Sequence, residues 1–254
     1  MLFYYSATGI TKALAHTISE RIDEPAFDIE ELLKSGQFEF ELKDEERLGF
    51  LIPVYFGNVP ELMRKFIEQV HIKTGEHYYC YLGLTYGGDC FAAPNYLMQC
   101  LIKRGLTTTA VFGIIGIDTF IPFYKVPVGE ERKKLDERHS LESSFMAEQI
   151  ADRTAGTYLK RGPFPQVTSL LCGPLYRLMR KTKNFVVSEK CIGCGLCARE
   201  CPMEVIGMDE ETKHPKWKKD SCMLCFRCLH HCPTEAIDYG KMSVGKVRLR
   251  EYEG

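Results

Sequence analysis

Residues 191–206, CIGCGLCARECPMEVI, and residues 222–237, CMLCFRCLHHCPTEAI, are one pattern written twice. Every cysteine recurs at the same place, as do Pro202 and Pro233, Glu204 and Glu235, and Ile206 and Ile237, all at one constant offset. A strict internal repeat means two copies of one small unit, so the C-terminal part reads as a pseudo-twofold domain, residues 185–254. Eight of the twelve cysteines lie in these copies, while Cys80, Cys90, Cys100 and Cys172 are scattered. Met1 leads straight into Leu2-Phe3-Tyr4-Tyr5, with no basic or extended apolar leader, so a cytoplasmic location is expected. In a reducing compartment, clustered cysteines bind metal more often than they pair as disulfides.

Each copy reads C-x-x-C-x-x-C-x-x-x-C-P, the run that holds a 4Fe-4S cluster and sends its fourth cysteine to the other cluster. Two-residue gaps let one loop wrap three thiolates around one face of a cuboidal cluster, with loop amides free to point at the sulfurs. The longer gap and the proline turn the fourth cysteine away. Cys191, Cys194, Cys197 and Cys232 are therefore assigned to one cluster, and Cys201, Cys222, Cys225 and Cys228 to the other. A zinc site is the alternative, but it needs only two C-x-x-C pairs and leaves the third spacing unexplained. On these motifs residues 185–240 resemble a two-cluster bacterial ferredoxin domain, a small α+β unit. Phe226 stands where the first copy has Gly195, which changes packing or potential without removing a ligand. With all eight cysteines present, His230 and His231 are read as surface or hydrogen-bonding residues.

Upstream, Leu2 to Tyr5, Ala26 to Ile29, Leu48 to Pro53, Tyr78 to Leu84 and Ala110 to Gly116 are short apolar runs that predict strands. Between them, Leu14, Ile18 and Ile22, then Leu62, Met63, Phe66, Ile67 and Val70, then Tyr96, Leu97, Cys100 and Leu101 recur at helical spacing. A weaker helical stretch lies between Glu130 and Lys160. Strands alternating with helices predict an α/β fold with a doubly wound, parallel, five-stranded sheet over residues 1–160, and a ligand site at the carboxyl ends of its strands. Residues 161–184 are rich in proline and glycine and read as a basic connector. From Lys160 to Lys183 there are six basic residues and no acidic one. This reads as a solvated linker or a helix face, with partner docking as the alternative.

Ser6-Ala7-Thr8-Gly9-Ile10-Thr11 joins the first strand to the first helix, where hydroxyls and amides meet the positive end of the helix dipole. It reads as an anion site or as an ordinary Ser/Thr helix cap. The hexapeptide resembles the phosphate loop of the flavodoxin family, S/T-x-T-G-x-T, with Ile10 replacing the polar residue often found there. That resemblance implies FMN. It also implies that Pro53-Val54-Tyr55-Phe56-Gly57-Asn58 and Thr85-Tyr86-Gly87-Gly88-Asp89 hold the isoalloxazine ring, and that the Gly57 peptide turns toward the flavin. Packing in the core is the plainer reading of Tyr55, Phe56 and Tyr86, and an inert buried thiol that of Cys90. Taken whole, the chain resembles the flavodoxin–ferredoxin fusions called ferrodoxins.

The chain is 254 residues long, 45% hydrophobic and 26% charged, with a formal net charge of −1. That is globular, not disordered, and not the basic composition of a nucleic-acid binder. No uncharged stretch is long enough for a membrane span. With thiolate-held clusters and a flavin phosphate the net charge approaches roughly −7. The resemblance implies electron transfer between FMN and two 4Fe-4S clusters, and onward to redox partner proteins. The alternative is an FMN-dependent reductase acting on NAD(P)H or a small molecule, although no G-x-G-x-x-G dinucleotide fingerprint is present.

Overall fold

The computed structural model describes residues 1–250 and 252; positions 251, 253 and 254 of the expected 185–254 domain lie outside the described residues. The chain opens with β1 (Leu2–Tyr4), α1 (Ile10–Ile22), β2 (Ala26–Asp28), α2 (Ile29–Ser35) and β3 (Arg47–Pro53). It continues through α3 (Glu61–Gln69), β4 (Tyr79–Tyr86), α4 (Ala93–Ile102), β5 (Ala110–Ile115), α5 (Gly129–Ala151) and β6 (Gly156–Tyr158). The sheet order is β2-β1-β3-β4-β5-β6, and every pairing is parallel. This is the flavodoxin-like winding, with its topological switch between β1 and β3.

Alternation along the strands divides the core. Phe3, Phe50, Ile52, Leu82 and Leu84 pack with Met63, Phe66 and Leu97 on one face, and Leu2, Tyr4, Leu51 and Tyr81 pack with Leu14, Ile18, Met146 and Ile150 on the other. β4 is buried along its whole length, as a parallel strand covered by helices on both sides should be. β2 stops a residue earlier than the apolar run suggests, because the Asp28 carboxylate accepts the Glu30 amide at 2.8 Å and starts α2. The sheet has a sixth strand that the pattern does not show. β6 is three exposed residues, Gly156-Thr157-Tyr158, held by pairing to Ala110–Phe112, and it has no apolar run to betray it.

The connector is largely a helix, α6 (Pro165–Met179). Beyond it come β7 (Phe185–Val187), α7 (Leu196–Arg199), β8 (Ile206–Met208), β9 (Pro215–Trp217), α8 (Arg227–His230) and β10 (Ile237–Tyr239). β7 pairs antiparallel with β10, and β8 with β9. The sequence repeat is also a backbone repeat: Gly195 and Phe226 precede α7 and α8 with φ of 72° and 56°, and Glu204 and Glu235 have φ of 51° and 53°. Phe226 thus takes the left-handed conformation a glycine adopts freely, and its buried ring packs against Phe120, Phe185 and Tyr239. The tail returns to the first half, where Tyr252 N donates to Thr8 O at 3.0 Å. Among the described residues no helix is long and apolar enough to cross a membrane.

Candidate functional site

The paired registers Pro53–Thr85 and Tyr86–Ile115 bring the carboxyl ends of β3, β4 and β5 to one edge of the sheet. There, beside the β1/β3 switch, lies a cavity of about 270 Å³. Of the sequence-predicted residues in the three loops, all but Gly9 and Asn58 line it.

No side chain caps α1, whose cap residue is Gly9 at φ 92°, so the helix-cap reading of Ser6–Thr11 does not describe this loop. Ser6 Oγ is buried with no hydrogen-bond partner, and the Thr11 hydroxyl meets that of Thr85 at 2.8 Å. A buried orphan hydroxyl beside an uncapped helix start suits an anionic oxygen. Tyr55 to Asn58 forms a tight turn with Phe56 and Gly57 both at positive φ, 51° and 68°, closed by Asn58 N donating to Tyr55 O at 3.0 Å. Asn58 lies outside the cavity because its side-chain amide closes this same turn, donating to Phe56 O at 3.0 Å. A Cβ on Gly57 would stand 2.8 Å from Phe91 Cβ.

The aromatic residues do more than face the cavity. Phe56 stacks on Tyr176 at 4.9 Å and meets the edge of Phe120 at 4.7 Å. The Tyr86 hydroxyl donates to Lys160 O at 2.8 Å, and Asp89 accepts the amides of Phe91 and Gly162 at 2.7 and 2.6 Å, so this loop ties the start of the connector down. Cys90 is fully buried and does not line the cavity, and burial pushes its thiol up to about 11.

Sequence reading missed the loop after β5, which contributes Asp118, Thr119, Phe120, Phe123 and Tyr124, and also Cys172 and Leu175 of α6. The rule that ligands sit at strand carboxyl ends covers the β5 loop. Nothing in the sequence signals that α6 folds back over the site. Burial raises the Asp118 carboxyl, opposed by the Phe120 amide that donates to it at 2.8 Å.

All twelve cysteines are free. Cys191, Cys194, Cys197 and Cys232 line one small cavity, and Cys201, Cys222, Cys225 and Cys228 line another. Among the described residues no group of three or more Cys, His, Asp or Glu converges on a single metal ion. Backbone amides of Val205, Ala236 and Leu224 point at the sulfurs of Cys201, Cys232 and Cys222, at 3.4, 3.2 and 3.4 Å. Burial pushes the thiol of Cys197 up to about 11 and that of Cys222 up to about 12, an environment in which thiolates need compensating positive charge. The donor set and its amides fit 4Fe-4S clusters.

Residues 190–236 match the 4Fe-4S dicluster domain family. This C-terminal unit is a ferredoxin-type iron–sulfur domain. A comparison with curated proteins gives no match. Among solved structures, the chain is similar to rubredoxin oxygen:oxidoreductase from the anaerobe Desulfovibrio gigas, at 11% identity and TM-score 0.34, over 59% of this chain and 36% of that one. The Flv1 flavodiiron core of Synechocystis sp. PCC6803 is similar at 16% identity and TM-score 0.33, with the same shares. The chain thus spans about a third of both. A short-chain flavodoxin associated with a non-canonical PDU bacterial microcompartment is similar at 15% identity and TM-score 0.34, over 57% of this chain and 96% of that one.

The dicluster domain closes one wall of the sheet-edge cavity. Leu224 lines it, one residue from Cys225, while Cys225 and Met223 pack into the core of the first half. Arg227 clamps the two together: Nε donates to Ala7 O at 2.8 Å, and Nη1 donates to Glu30 at 2.8 Å and to Glu200 O at 3.1 Å. Its Nη2 also reaches Ser6 O and Glu30. His230 is buried, not on the surface: Nδ1 accepts the Leu249 amide at 3.1 Å, leaving Nε2 to donate to Thr119 O at 2.9 Å. His231 Nδ1 lies 2.7 Å from Glu200 Oε2.

Proposed function

We propose that the sheet-edge cavity holds FMN and that the protein is an electron-transfer iron–sulfur flavoprotein working in the cytoplasm. Residues 1–160 form its flavin domain, 161–184 its connector and 185–254 its cluster domain. Ser6 to Thr11 would receive the phosphate on the Ser6 hydroxyl and the open amides of α1. Pro53 to Gly57 and Thr85 to Asp89, with the β5 loop, would enclose the ring. FMN, when bound, supplies one- and two-electron chemistry beside the one-electron steps of the clusters.

The observation that carries this reading is Leu224, which belongs at once to the cavity wall and to the Cys222–Cys228 loop. The quartet Cys201, Cys222, Cys225 and Cys228 is therefore the inner one. Cys194 of the other quartet is exposed, which makes that cluster the port to redox partner proteins. Phe56, Phe120, Phe226 and Tyr176 pack together at the junction.

Anaerobically purified protein should carry about eight iron and eight acid-labile sulfides and release noncovalent FMN on denaturation. Zinc without sulfide, release of FAD, or no flavin after reconstitution would overturn the assignment. Anaerobic mixing with NAD(P)H separates the two activities: rapid, partner-free flavin reduction would establish the reductase in place of the carrier.

A further inference from the structure

The connector helix is amphipathic in an unusual sense. Ser169, Cys172, Tyr176 and Met179, spaced three or four apart, face inward: Ser169 Oγ accepts the Ala92 amide at 3.1 Å, and the Tyr176 hydroxyl donates to Met223 O at 3.0 Å. The opposite stripe is apolar too, yet faces solvent. Leu170 and Leu171 are 74% and 72% exposed, and Phe164, Val167 and Leu178 are also more than half exposed. Leu175 extends this stripe to the mouth of the cavity, where the exposed Phe123 and Tyr124 also stand. A contiguous apolar ridge on a water-facing helix marks a binding surface.

Charge decides the occupant. Residues 160–183 hold six basic side chains and no acidic one. Arg180 turns inward to Glu61 and Cys222 O, whereas Lys160, Arg161, Arg177, Lys181 and Lys183 are exposed, Arg161 bonding Asn95 at the surface. Two copies meeting through this face would juxtapose like charges, so self-association is disfavoured. The face carries exposed leucine and phenylalanine along the helix, with exposed cations at Arg177, Lys181 and Lys183 near its C-terminal end. That pairing suits the boundary between headgroups and acyl chains, where apolar side chains enter and Lys and Arg reach the phosphates.

We infer that α6 is an in-plane membrane anchor that seats the protein peripherally on an anionic lipid surface, with the cavity mouth turned toward it. Among the described residues no helix is long and apolar enough to cross the bilayer, so the anchoring is peripheral. Because the loaded protein is acidic overall, this basic face is the one that approaches, which fixes its orientation.

The test is cosedimentation of the full-length, cluster-loaded protein with vesicles of phosphatidylcholine alone and of equal parts phosphatidylcholine and phosphatidylglycerol. Binding to the mixed vesicles should be about tenfold stronger and should weaken with salt. Leu170→Glu with Leu171→Glu should abolish it, and Lys181→Glu with Lys183→Glu should weaken it about tenfold, with iron content unchanged in both. These four positions are exposed, so the variants leave the core intact. No pelleting with mixed vesicles, or equal pelleting of the leucine variant, overturns the inference. Concentration-dependent dimerisation lost in the leucine variant, without vesicle binding, would assign the face to a second copy instead.

Discussion

At Ser6 a hydroxyl is buried with nothing to bond, and its effect on ligand binding and on folding should therefore separate. Ser6→Ala removes no hydrogen bond from the folded chain and takes away a buried unpaired hydroxyl, so thermal stability should hold or rise by about 1 kcal/mol. FMN affinity, read by fluorescence quenching, should fall by about 1 kcal/mol, roughly fivefold. Unchanged affinity would mean that the phosphate is received elsewhere. His139 offers a second test. It is buried against Gly116 and Tyr252, with Nε2 unpartnered, and burial holds its pKa down near 4, with Asp136 opposing and Arg138 reinforcing the shift. Since the unfolded chain protonates near 6.5, the stability gained by burying the neutral ring is complete above that pH and is lost as pH falls toward 4. The loss should be on the order of 3 kcal/mol. His139→Phe should flatten this part of the stability profile, and an unaltered slope would assign it to other groups. The sequence marked Ser6 by its place in a motif, whereas His139 and Asp118 acquire their character only from what packs over them.

Among the elements, those defined by local pattern were legible, and those defined by long-range pairing were not. β3 and β4 announce themselves as apolar runs and α3 by its spacing, but β6 exists only through its pairing with β5, and α6 turns one apolar stripe outward, where helical spacing implies a core. The α7 and α8 starts show what the repeat alone leaves undecided. Phe226 occupies a backbone site built for Gly195, so Phe226→Gly sets two effects against each other. Relief of the left-handed conformation gains about 1 kcal/mol, while deleting a buried ring between the two halves costs about 3–5 kcal/mol. Packing wins. Urea denaturation should show net destabilisation of about 2–4 kcal/mol, with all eight cysteine ligands still in place; a stabilised variant would mean that the ring contributes little to the junction.

At the scale of the molecule, the question is what keeps the halves in register. A basic connector between two acidic domains suggests attraction through solvent, which salt would screen. The structure points instead to enclosed contacts: Phe120 against Phe226, Arg180 donating to Cys222 O at 2.6 Å and to Glu61 at 2.7 Å, and Arg227 in an ion pair with Glu30 whose side chains are 12% and 10% exposed. Pairs this sheltered respond weakly to ionic strength. In stopped flow, electron exchange between flavin and clusters within one molecule should therefore be independent of protein concentration and nearly independent of salt. Arg227→Gln leaves Glu30 buried without its partner, which costs about 3–5 kcal/mol, and frees the Ser6–Ala7 carbonyls from the α8 start. Its exchange rate should fall and become concentration-dependent as the halves part, while iron and sulfide content stay unchanged. Salt sensitivity in the parent protein, or an Arg227→Gln rate equal to it, would return the coupling to the exposed lysines of the connector.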